Sequence, residues 1–363
     1  MARSRPSSIR PWAPCPGKRI SSRQWYDRAA GRTKRFQART SSRSRRARSM
    51  IGDRLQLIRS FAPLAFLILL VAASAVIAPG VLQPDSIIGF ISDAAPVIAL
   101  VIGGTFPILA GSIDLSVAGV ASVTGVLVVV LNPVFGPWTS LVVVLVAILF
   151  GAMQGFVHTW LQLPSFIVSL ATLSILSGLA LLLSNATAEP VPSDDILVGI
   201  LGNSVAGIPN TAILLVLIVA VLRLAMRFTR FGRDVYALGS GERAALMSGV
   251  NGFVTRTLLF AISAGCAAIA GLFLISVTSF SSPTLAGNLL LLSIVGVVLG
   301  GTAISGGVGG LFAAVVGGLI TAWLRIVAVI IGVAPTAQNI IFGLTALIAV
   351  ALTTERKKLG VIK

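Results

Sequence analysis

Charged residues are scarce in this sequence. They make up 11% of its 363 residues, whereas 56% are hydrophobic, and soluble domains carry about 25% charged residues. So little polar surface cannot cover a folded core in water. The shortage excludes a soluble globular domain and indicates an integral membrane protein.

Cysteine and histidine are nearly absent, and a nucleotide-binding motif is missing. Two distant cysteines, Cys15 and Cys266, exclude a disulfide framework and a cysteine metal site, and the single histidine, His158, cannot form a histidine cluster. The sequence contains no G-x-x-x-x-G-K-[ST] segment, so the chain does not bind ATP through a P-loop. No nucleophile–base pair is visible either. We therefore expect no enzyme activity, no cofactor and no metal ion in this chain.

Positive charge is concentrated at the start of the chain. Residues 1–49 hold fifteen Lys and Arg and one acid, which gives +14 of the formal net charge of +17. This tail, rich in Arg, Ser and Pro, is predicted to be disordered. Three interpretations stay open: a nucleic-acid-binding arm, a polybasic segment on anionic lipid, and an over-extended gene start, with the protein beginning near Met50. Neither aromatic residues nor a motif supports the first, so we expect no nucleic-acid partner.

Residues 50–363 are predicted to form one all-α, polytopic membrane domain of about ten transmembrane helices surrounded by lipid. A hydrocarbon core about 30 Å thick requires about 20 apolar residues per helix, and ten segments meet this requirement. They are 61–79, 89–110, 115–132, 138–158, 164–184, 211–228, 255–279, 287–303, 310–331 and 336–352. Ten crossings place both termini on the same side of the membrane.

The charges between these segments predict which side that is. Lys and Arg are retained in the cytoplasm, and twelve of the thirteen that follow Met50 lie in or beside predicted inner segments. Both termini are therefore predicted to be cytoplasmic. The longest outer loop, 185–210, is predicted to be irregular with one short helix. Its three carboxylates are predicted either to be solvated or to contact a partner outside the membrane. The predicted outer loops carry only acids, namely Asp85, Glu189, Asp194 and Asp195.

The longest polar stretch after the tail, residues 227–256, separates two of the spans. It holds five Arg against two acids. Its centre, GERAALMSG, predicts a short helix that Gly241 opens and Gly249 ends. A short helix in the cytoplasm is a place where another protein can push on a membrane protein. The alternative is an ordinary basic inner loop.

One span departs from a regular helix pattern. The segment 89–110 contains two prolines and a pair of glycines and runs into GSIDLS at 111–116, which predicts a broken helix beside protein or a watery cavity. Asp114 in this motif is a functional candidate, because an acid among spans is costly. Its alternative role is to cap the next span, since Asp is a preferred N-cap residue.

Glycine spacing and one isolated charge predict contacts between spans. Small residues four positions apart, at 151–155, 296–300 and 306–310, let helix backbones approach closely. Arg325 is the one basic residue placed within a span. We hypothesise that it pairs with Asp93, because an uncompensated charge costs several kcal/mol in the membrane.

Three motifs occur in order along the chain. They are AGSIDLSVAGVASVTG (110–125), TRFGRDVYALGSGERAALMSGV (229–250) and VVLGGTAISGGVGG (297–310). They resemble the permease subunits of sugar-type ABC importers, the ribose, xylose and galactose group, within the larger family that includes branched-chain amino acid permeases. The resemblance covers residues 60–352, essentially the whole membrane part.

The resemblance implies an assembly in the bacterial inner membrane. Two permease subunits, here a homodimer, surround one path with broken helices around it. Two ATP-binding subunits dock on the cytoplasmic side, and a periplasmic or lipid-anchored solute-binding protein delivers the solute. The coupling helix of the family matches residues 239–249, in which Arg243 stands where Ala is usual. The residues implied in coupling are Gly239, Glu242, Arg243, Ala244, Ala245, Ser248 and Gly249.

The implied function is ATP-driven import of a small polar solute, with a monosaccharide expected and ATP hydrolysed in the separate subunits. Relatives commonly carry an acid at 287–294, where this chain has none, so a typical pentose is less well supported. The alternative is an ion-coupled secondary transporter, for which Asp93 and Asp114 are the candidate acids. The residues implied in the path and in helix packing are Gly111, Ser112, Asp114, Gly300, Gly301, Thr302, Gly306 and Gly307.

Overall fold

The structure, a computed structural model, describes residues 61–353; the interpretations of residues 1–49 concern residues outside this range. Within it the chain forms thirteen α-helices and two pairs of two-residue antiparallel strands. The helices are α1 (Phe61–Ile77), α2 (Pro84–Leu109), α3 (Val117–Phe135), α4 (Thr139–Trp160), α5 (Ser165–Leu183), α6 (Ile196–Leu201), α7 (Asn210–Phe228), α8 (Arg230–Ser240), α9 (Glu242–Met247), α10 (Gly252–Thr278), α11 (Leu289–Leu299), α12 (Leu311–Ile330) and α13 (Pro335–Thr353). The strands are β1 (Glu189–Pro190), which pairs with β4 (Phe280–Ser281), and β2 (Ser204–Val205), which pairs with β3 (Ile208–Pro209).

The all-α membrane fold is confirmed, but the count of ten crossings is not. A helix lies in each of the ten predicted spans. Six segments are long and apolar enough to cross a membrane, one of which, Val117–Trp160, contains both α3 and α4. α11 has 11 residues and spans about 16 Å, half of the hydrocarbon core. The predicted span 287–303 is therefore wrong as one continuous helix, because α11 already ends before Gly300.

α2 is the central helix of the described structure. It packs against α10, α11 and α12, and every residue from Ala94 to Leu109 is buried. The predicted break in this span is wrong, because α2 runs without interruption through Pro96 and past Pro107. Helices packed on several sides hold a proline-containing helix together in a membrane. The irregular backbone begins only at Ala110, after the helix has ended.

Glycines set the closest helix contacts, as their spacing predicts. In α4, a Cβ on Gly155 would lie 2.9 Å from the Thr257 Cα of α10. In α12, a Cβ on Gly317 would lie 2.7 Å from the Gly300 backbone N at the end of α11. No side chain fits between backbones this close, so these glycines are needed for the two contacts.

The loop at 185–210 contains the predicted short helix, α6. The prediction of three solvated carboxylates is wrong for Asp195, which is 1% exposed. Its carboxylate caps α6 by accepting from the Val198 N–H at 3.0 Å, and it also accepts from the Ser140 N–H and hydroxyl at 2.9 and 2.8 Å. Asp195 therefore holds the loop on the start of α4.

The hypothesised ion pair between Asp93 and Arg325 is wrong. Both residues are exposed, and no ion pair joins them in the described structure. The indole N–H of Trp323 on α12 donates to the Ser74 hydroxyl of α1 at 3.0 Å, and its ring packs edge-on against Phe90 of α2 at 4.7 Å. Arg325 follows two positions later, so it lies on another face of α12.

Candidate coupling site

The polar stretch between α7 and α10 folds into two helices. The predicted short helix is present as α9, which follows Gly241 and ends just before Gly249, where φ is +86°. Gly239 belongs to the preceding helix, α8. A single helix over 239–249 is therefore wrong, because the chain changes direction at Gly241.

α8 was not predicted from the sequence. Its buried face carries Gly232, Val235 and Leu238, while Arg230 and Arg233 are exposed. The apolar positions recur three to four residues apart, which is the period of an amphipathic helix. The dense charges of this stretch concealed that period.

α9 is held on one side and exposed on the other. Ala245 is 5% exposed, whereas Met247 is 91% exposed at the end of the helix. The Glu242 carboxylate accepts from the Arg256 guanidinium of α10 at 2.6 Å. This pair and the buried Ala245 fix α9 to the start of α10, and they leave the apolar tip around Leu246 and Met247 uncovered in the described structure.

The last turn of α8 contacts two distant parts of the chain. Gly239 lies so close to Leu109, at the end of α2, and to Gly307 that a Cβ on it would overlap their backbones. The Gly307 N–H donates to the Leu109 carbonyl oxygen at 2.9 Å. The Tyr236 hydroxyl donates to the Gly309 carbonyl oxygen at 3.0 Å. The second and third motifs therefore meet at the end of α2, directly before the first motif.

The contact requires glycine at four positions, Gly111, Gly239, Gly306 and Gly307, which we call the glycine junction. Gly306 and Gly307 have φ of +84° and +75°, a conformation that other residues rarely adopt. A Cβ on Gly306 would lie 2.8 Å from the Gly111 N and 3.0 Å from the Gly239 Cα. Backbone therefore packs directly on backbone, with no side chain to yield.

Burial also affects the hydroxyl group at this junction. It raises the pKa of Tyr236 above its ordinary value of 10.0, because the phenolate would lose its water. The hydroxyl therefore stays protonated near neutral pH and keeps donating to Gly309.

Asp114 lies in a buried hydrogen-bond cluster. Its Oδ1 accepts from the Ser116 N–H at 2.9 Å, the Ser116 hydroxyl at 2.5 Å and the Gln154 amide at 3.3 Å. Its Oδ2 accepts from the Ser263 hydroxyl at 2.7 Å. Four donors are what an ionised carboxylate can accept. The N-cap of α3 is Ser116, so Asp114 stabilises the residues before the helix and not its first turn.

The segment 111–116 joins the glycine junction to the Asp114 cluster. Gly111 belongs to the junction, and Asp114 is three residues later. Between them, the Ile113 N–H donates to the Ser165 hydroxyl oxygen of α5 at 3.0 Å. One short segment thus contacts α4, α5 and α10, and at the junction it lies against Gly306, which also packs on α8.

Known proteins resemble this chain over most of its length. The family model described as "branched-chain amino acid transport system / permease component" matches residues 86–350. The chain belongs to the family of ABC importer permeases. Among its relatives, the ribose import permease protein of Haemophilus influenzae is 30% identical over 289 residues, 78% of this chain and 90% of that protein.

Other relatives of the permease are also sugar-type members. The ribose import permease protein of Bacillus subtilis is 31% identical over 310 residues, 83% of this chain and 94% of that protein. The D-allose transport system permease protein of Escherichia coli is 31% identical over 253 residues, 69% and 77% of the two chains. A comparison with solved structures gives no match.

The structure brings only some of the predicted site residues of the permease together. Gly111, Gly239, Gly306 and Gly307 meet at the junction. Ser112 is buried beside it, and its N–H donates to the Pro107 carbonyl oxygen at 2.9 Å. The remaining residues lie apart from it: Gly300 and Gly301 at the end of α11, Thr302 against Gly309, and Glu242, Arg243, Ala244, Ala245, Ser248 and Gly249 in and after α9.

Proposed function

We propose that this permease is the membrane-spanning subunit of an ATP-driven importer that carries a monosaccharide. The observation that carries the proposal is the exposure of α9. The α8–α9 pair to which it belongs is fixed to the core through the glycine junction. The kind of solute is supported by the names of its relatives, which are a ribose, a D-allose and an L-arabinose permease.

The geometry supports a mechanical role for α8 and α9. ATP-binding subunits that close would push on the exposed Leu246 and Met247. The rigid backbone contact at Gly239 passes that movement to the end of α2 and to the loop at 301–310. The Asp114 cluster then moves α3, α4 and α10 together. The permease supplies geometry, and ATP is hydrolysed in the separate subunits.

The proposed assembly has two copies of the permease, two ATP-binding subunits and a solute-binding protein on the other side. Arg223, Arg227, Arg230, Arg233 and Arg243 surround the α8–α9 end, which supports a cytoplasmic position for it. Both termini are cytoplasmic in this arrangement. Its membrane is the bacterial inner membrane.

Ion-coupled transport is less well supported. Ion-coupled transporters usually have an intramembrane acid or an unwound ion site near the middle of the membrane. Both oxygens of Asp114 already accept from Ser116, Gln154 and Ser263. Asp93 is exposed on α2 rather than enclosed in a polar site.

Co-purification tests the coupling role. A tagged permease is solubilised with the native loop, with Ala244→Asp plus Met247→Asp, and with the control Gly199→Asp plus Ser204→Asp on the opposite end. All four positions are exposed. We expect an ABC-type ATP-binding subunit to accompany the native chain and the control but not the α9 variant. Absence of any ATPase from a folded native sample would contradict the proposal.

Uptake tests the solute. Cells that lack the gene, and the same cells complemented with it, are given radiolabelled D-ribose, D-allose and L-arabinose. We expect complementation to restore uptake of at least one of the three sugars. Uptake that persists after ATP depletion but stops when the ion gradients are dissipated would favour the ion-coupled alternative.

A further inference from the structure

A cluster of exposed arginines lies where α7 ends and α8 begins, and we call it the arginine corner. Its members are Arg223 and Arg227 in the last turns of α7, and Arg230 and Arg233 in the first turn of α8. The two helices contain one acid between them, Asp234. Within residues 61–353, none of the four arginines forms an ion pair with an acid. The corner is therefore a patch of uncompensated positive charge.

The corner lies beside a face of α7 that meets lipid. α7 is the least buried of the six segments that are long and apolar enough to cross a membrane. Leu217, Val221, Leu224 and Phe228 recur three or four residues apart, and each is more than half exposed, so they form one apolar stripe. Arg223 lies five residues before the end of this helix, about 7.5 Å along its axis. An exposed arginine at this depth extends toward the membrane surface, where the lipid phosphates are.

The spacing of the arginines is unfavourable for the two helices by themselves. Arg223 and Arg227 are four residues apart, Arg230 and Arg233 are three apart, and like charges at these spacings repel each other. Arg230 also stands in the N-terminal turn of α8, where the helix dipole favours an acid. Retention of positive charge in the cytoplasm requires basic residues on this side of the membrane, but it does not require this spacing. An anion bound at the corner would relieve the repulsion.

Backbone packing holds the corner in one shape. A Cβ on Gly232 of α8 would overlap the Met226 backbone of α7, so the two helices touch directly after the turn between them. Arg223 also acts across this contact. Burial raises the pKa of Tyr236 on α8, and the positive charge of Arg223 opposes that rise. Arg223 therefore lies near α8, and the arginines of the two helices belong to one patch.

We propose that the arginine corner binds the headgroup of an anionic phospholipid such as phosphatidylglycerol. A guanidinium group presents parallel N–H donors that match the oxygens of a phosphate. The Arg227 guanidinium lies over the ring of Phe228, 5.5 Å from its centre, and exposed aromatic rings favour the headgroup level of a membrane. The acyl chains of the lipid follow the apolar stripe of α7, while its phosphate contacts the arginines. A zwitterionic lipid fits less well, because its own ammonium group offsets the phosphate charge.

Depth favours a lipid over an acidic protein surface as the partner. An ATP-binding subunit would approach the exposed tip of α9, whereas Arg223 lies within the apolar length of α7. A headgroup bound at the start of α8 would fix this helix to the membrane surface, and the glycine junction fixes its last turn to the core. The lipid site depends neither on which solute is moved nor on what drives the transport.

The local lipid composition around α7 tests the proposal. The full chain, with Cys15→Ser and Cys266→Ala, receives Leu224→Cys beside the corner or Ile213→Cys at the other end of the helix. Both positions are exposed. Each thiol is labelled with a nitrobenzoxadiazole fluorophore in bilayers of equal phosphatidylglycerol and phosphatidylcholine, one of which carries a nitroxide quencher. We expect phosphatidylglycerol to quench the Leu224 reporter more strongly, and both lipids to quench the Ile213 reporter equally. Equal quenching at both positions would overturn the proposal.

Variants of the Leu224 reporter locate the effect. Arg227→Gln should lower the relative affinity for phosphatidylglycerol about fivefold, as for one arginine near a membrane surface. Arg223→Gln plus Arg227→Gln should lower it to the level of the Ile213 reporter, whereas Arg227→Lys keeps the charge and should retain most of it. Arg243→Gln on α9 is the control, because it removes the same charge outside the corner. Size-exclusion chromatography confirms that each variant is folded.

These variants separate a lipid site from other sources of the same signal. The arginine-rich tail, residues 1–49, is present in every sample, so a preference that comes from the tail would survive Arg223→Gln plus Arg227→Gln and contradict the proposal. A loss with Arg243→Gln equal to that with Arg227→Gln would show that only total charge matters. Arginine variants that keep the lipid preference but lose the ATP-binding subunit in co-purification would assign the corner to a protein contact instead.

Discussion

The glycine junction and the Asp114 cluster both join separate helices, but they do so in opposite ways. The junction joins α8 to the core by backbone contact, and it depends on the absence of side chains at Gly239 and Gly306. The cluster joins α3, α4 and α10 through hydrogen bonds, and it depends on particular side chains. An added atom disrupts a steric contact. A hydrogen-bond cluster is disrupted more by the loss of an acceptor than by a change of side-chain shape.

The largest effect is expected at the junction. Gly306→Ala adds a Cβ that meets the Gly111 N and the Gly239 Cα, at a φ of +84°. Strain and overlap together should cost about 2–4 kcal/mol and abolish uptake. Gly332→Ala is the matched control, because its φ is +76° but nothing lies within 4 Å. Thermal unfolding in detergent should show the control losing only about 1–2 kcal/mol from strain. Equal losses would mean that close contact is unimportant.

The next effect concerns the cluster. Asp114→Asn replaces one acceptor oxygen by an amide and leaves a buried donor unpaired, which should cost about 1–3 kcal/mol. Asp194→Asn is the control, because that residue is exposed. A double-mutant cycle with Ser263→Ala, followed by melting temperature, should be non-additive. Additive losses would show that the two residues act independently.

A smaller effect is expected at Tyr236. Its hydroxyl donates a side-chain hydrogen bond from α8 to the loop at 301–310. Tyr236→Phe should cost about 1 kcal/mol. Since burial raises the pKa of Tyr236 above 10.0, its contribution is complete below pH 10 and is lost as pH rises through the folded-state value. Unfolding measured from pH 8 to 11 should therefore steepen for the native chain above pH 10 but not for the Phe variant.

The smallest effect on stability is expected for the ion pair on α9. Glu242 is half exposed, so Glu242→Gln should change the unfolding free energy by less than about 1 kcal/mol, with the difference shrinking in high salt. Transport per ATP hydrolysed should fall more clearly, because α9 loses its tie to Arg256 of α10. Asp234→Asn on α8 is the control. A large salt-independent loss of stability would contradict this assignment.

The sequence predicts local features of the permease well and distant contacts poorly. Gly241 and Gly249 identified α9, because helix ends depend on neighbouring residues. The buried role of Asp195 was missed because its partner, Ser140, is 55 positions away. The meeting of Leu109, Gly239 and Gly307 likewise depends on tertiary packing. The sequence motifs contain Gly239 and Gly307, in the coupling and path sets respectively, but no spacing rule places them in one contact or includes Leu109.

Errors in helix length have a different cause. The apolar run after 287 has the composition of a span, so composition alone does not show where α11 ends. The helix stops at a glycine cap: Gly301 has a φ of +88°, and the Thr302 N–H donates back to the Val297 carbonyl oxygen at 3.2 Å. In α2 the opposite error occurred, because Pro96 predicts a break that the surrounding helices prevent.

The half-length α11 has a consequence for biosynthesis. A helix of about 16 Å is too short to be recognised and inserted as a crossing by itself. Its backbone needs protein around it at that depth, and α12, which packs on it through Gly317, follows in the chain. We therefore expect α11 to enter the membrane together with α12 and not as soon as it leaves the ribosome.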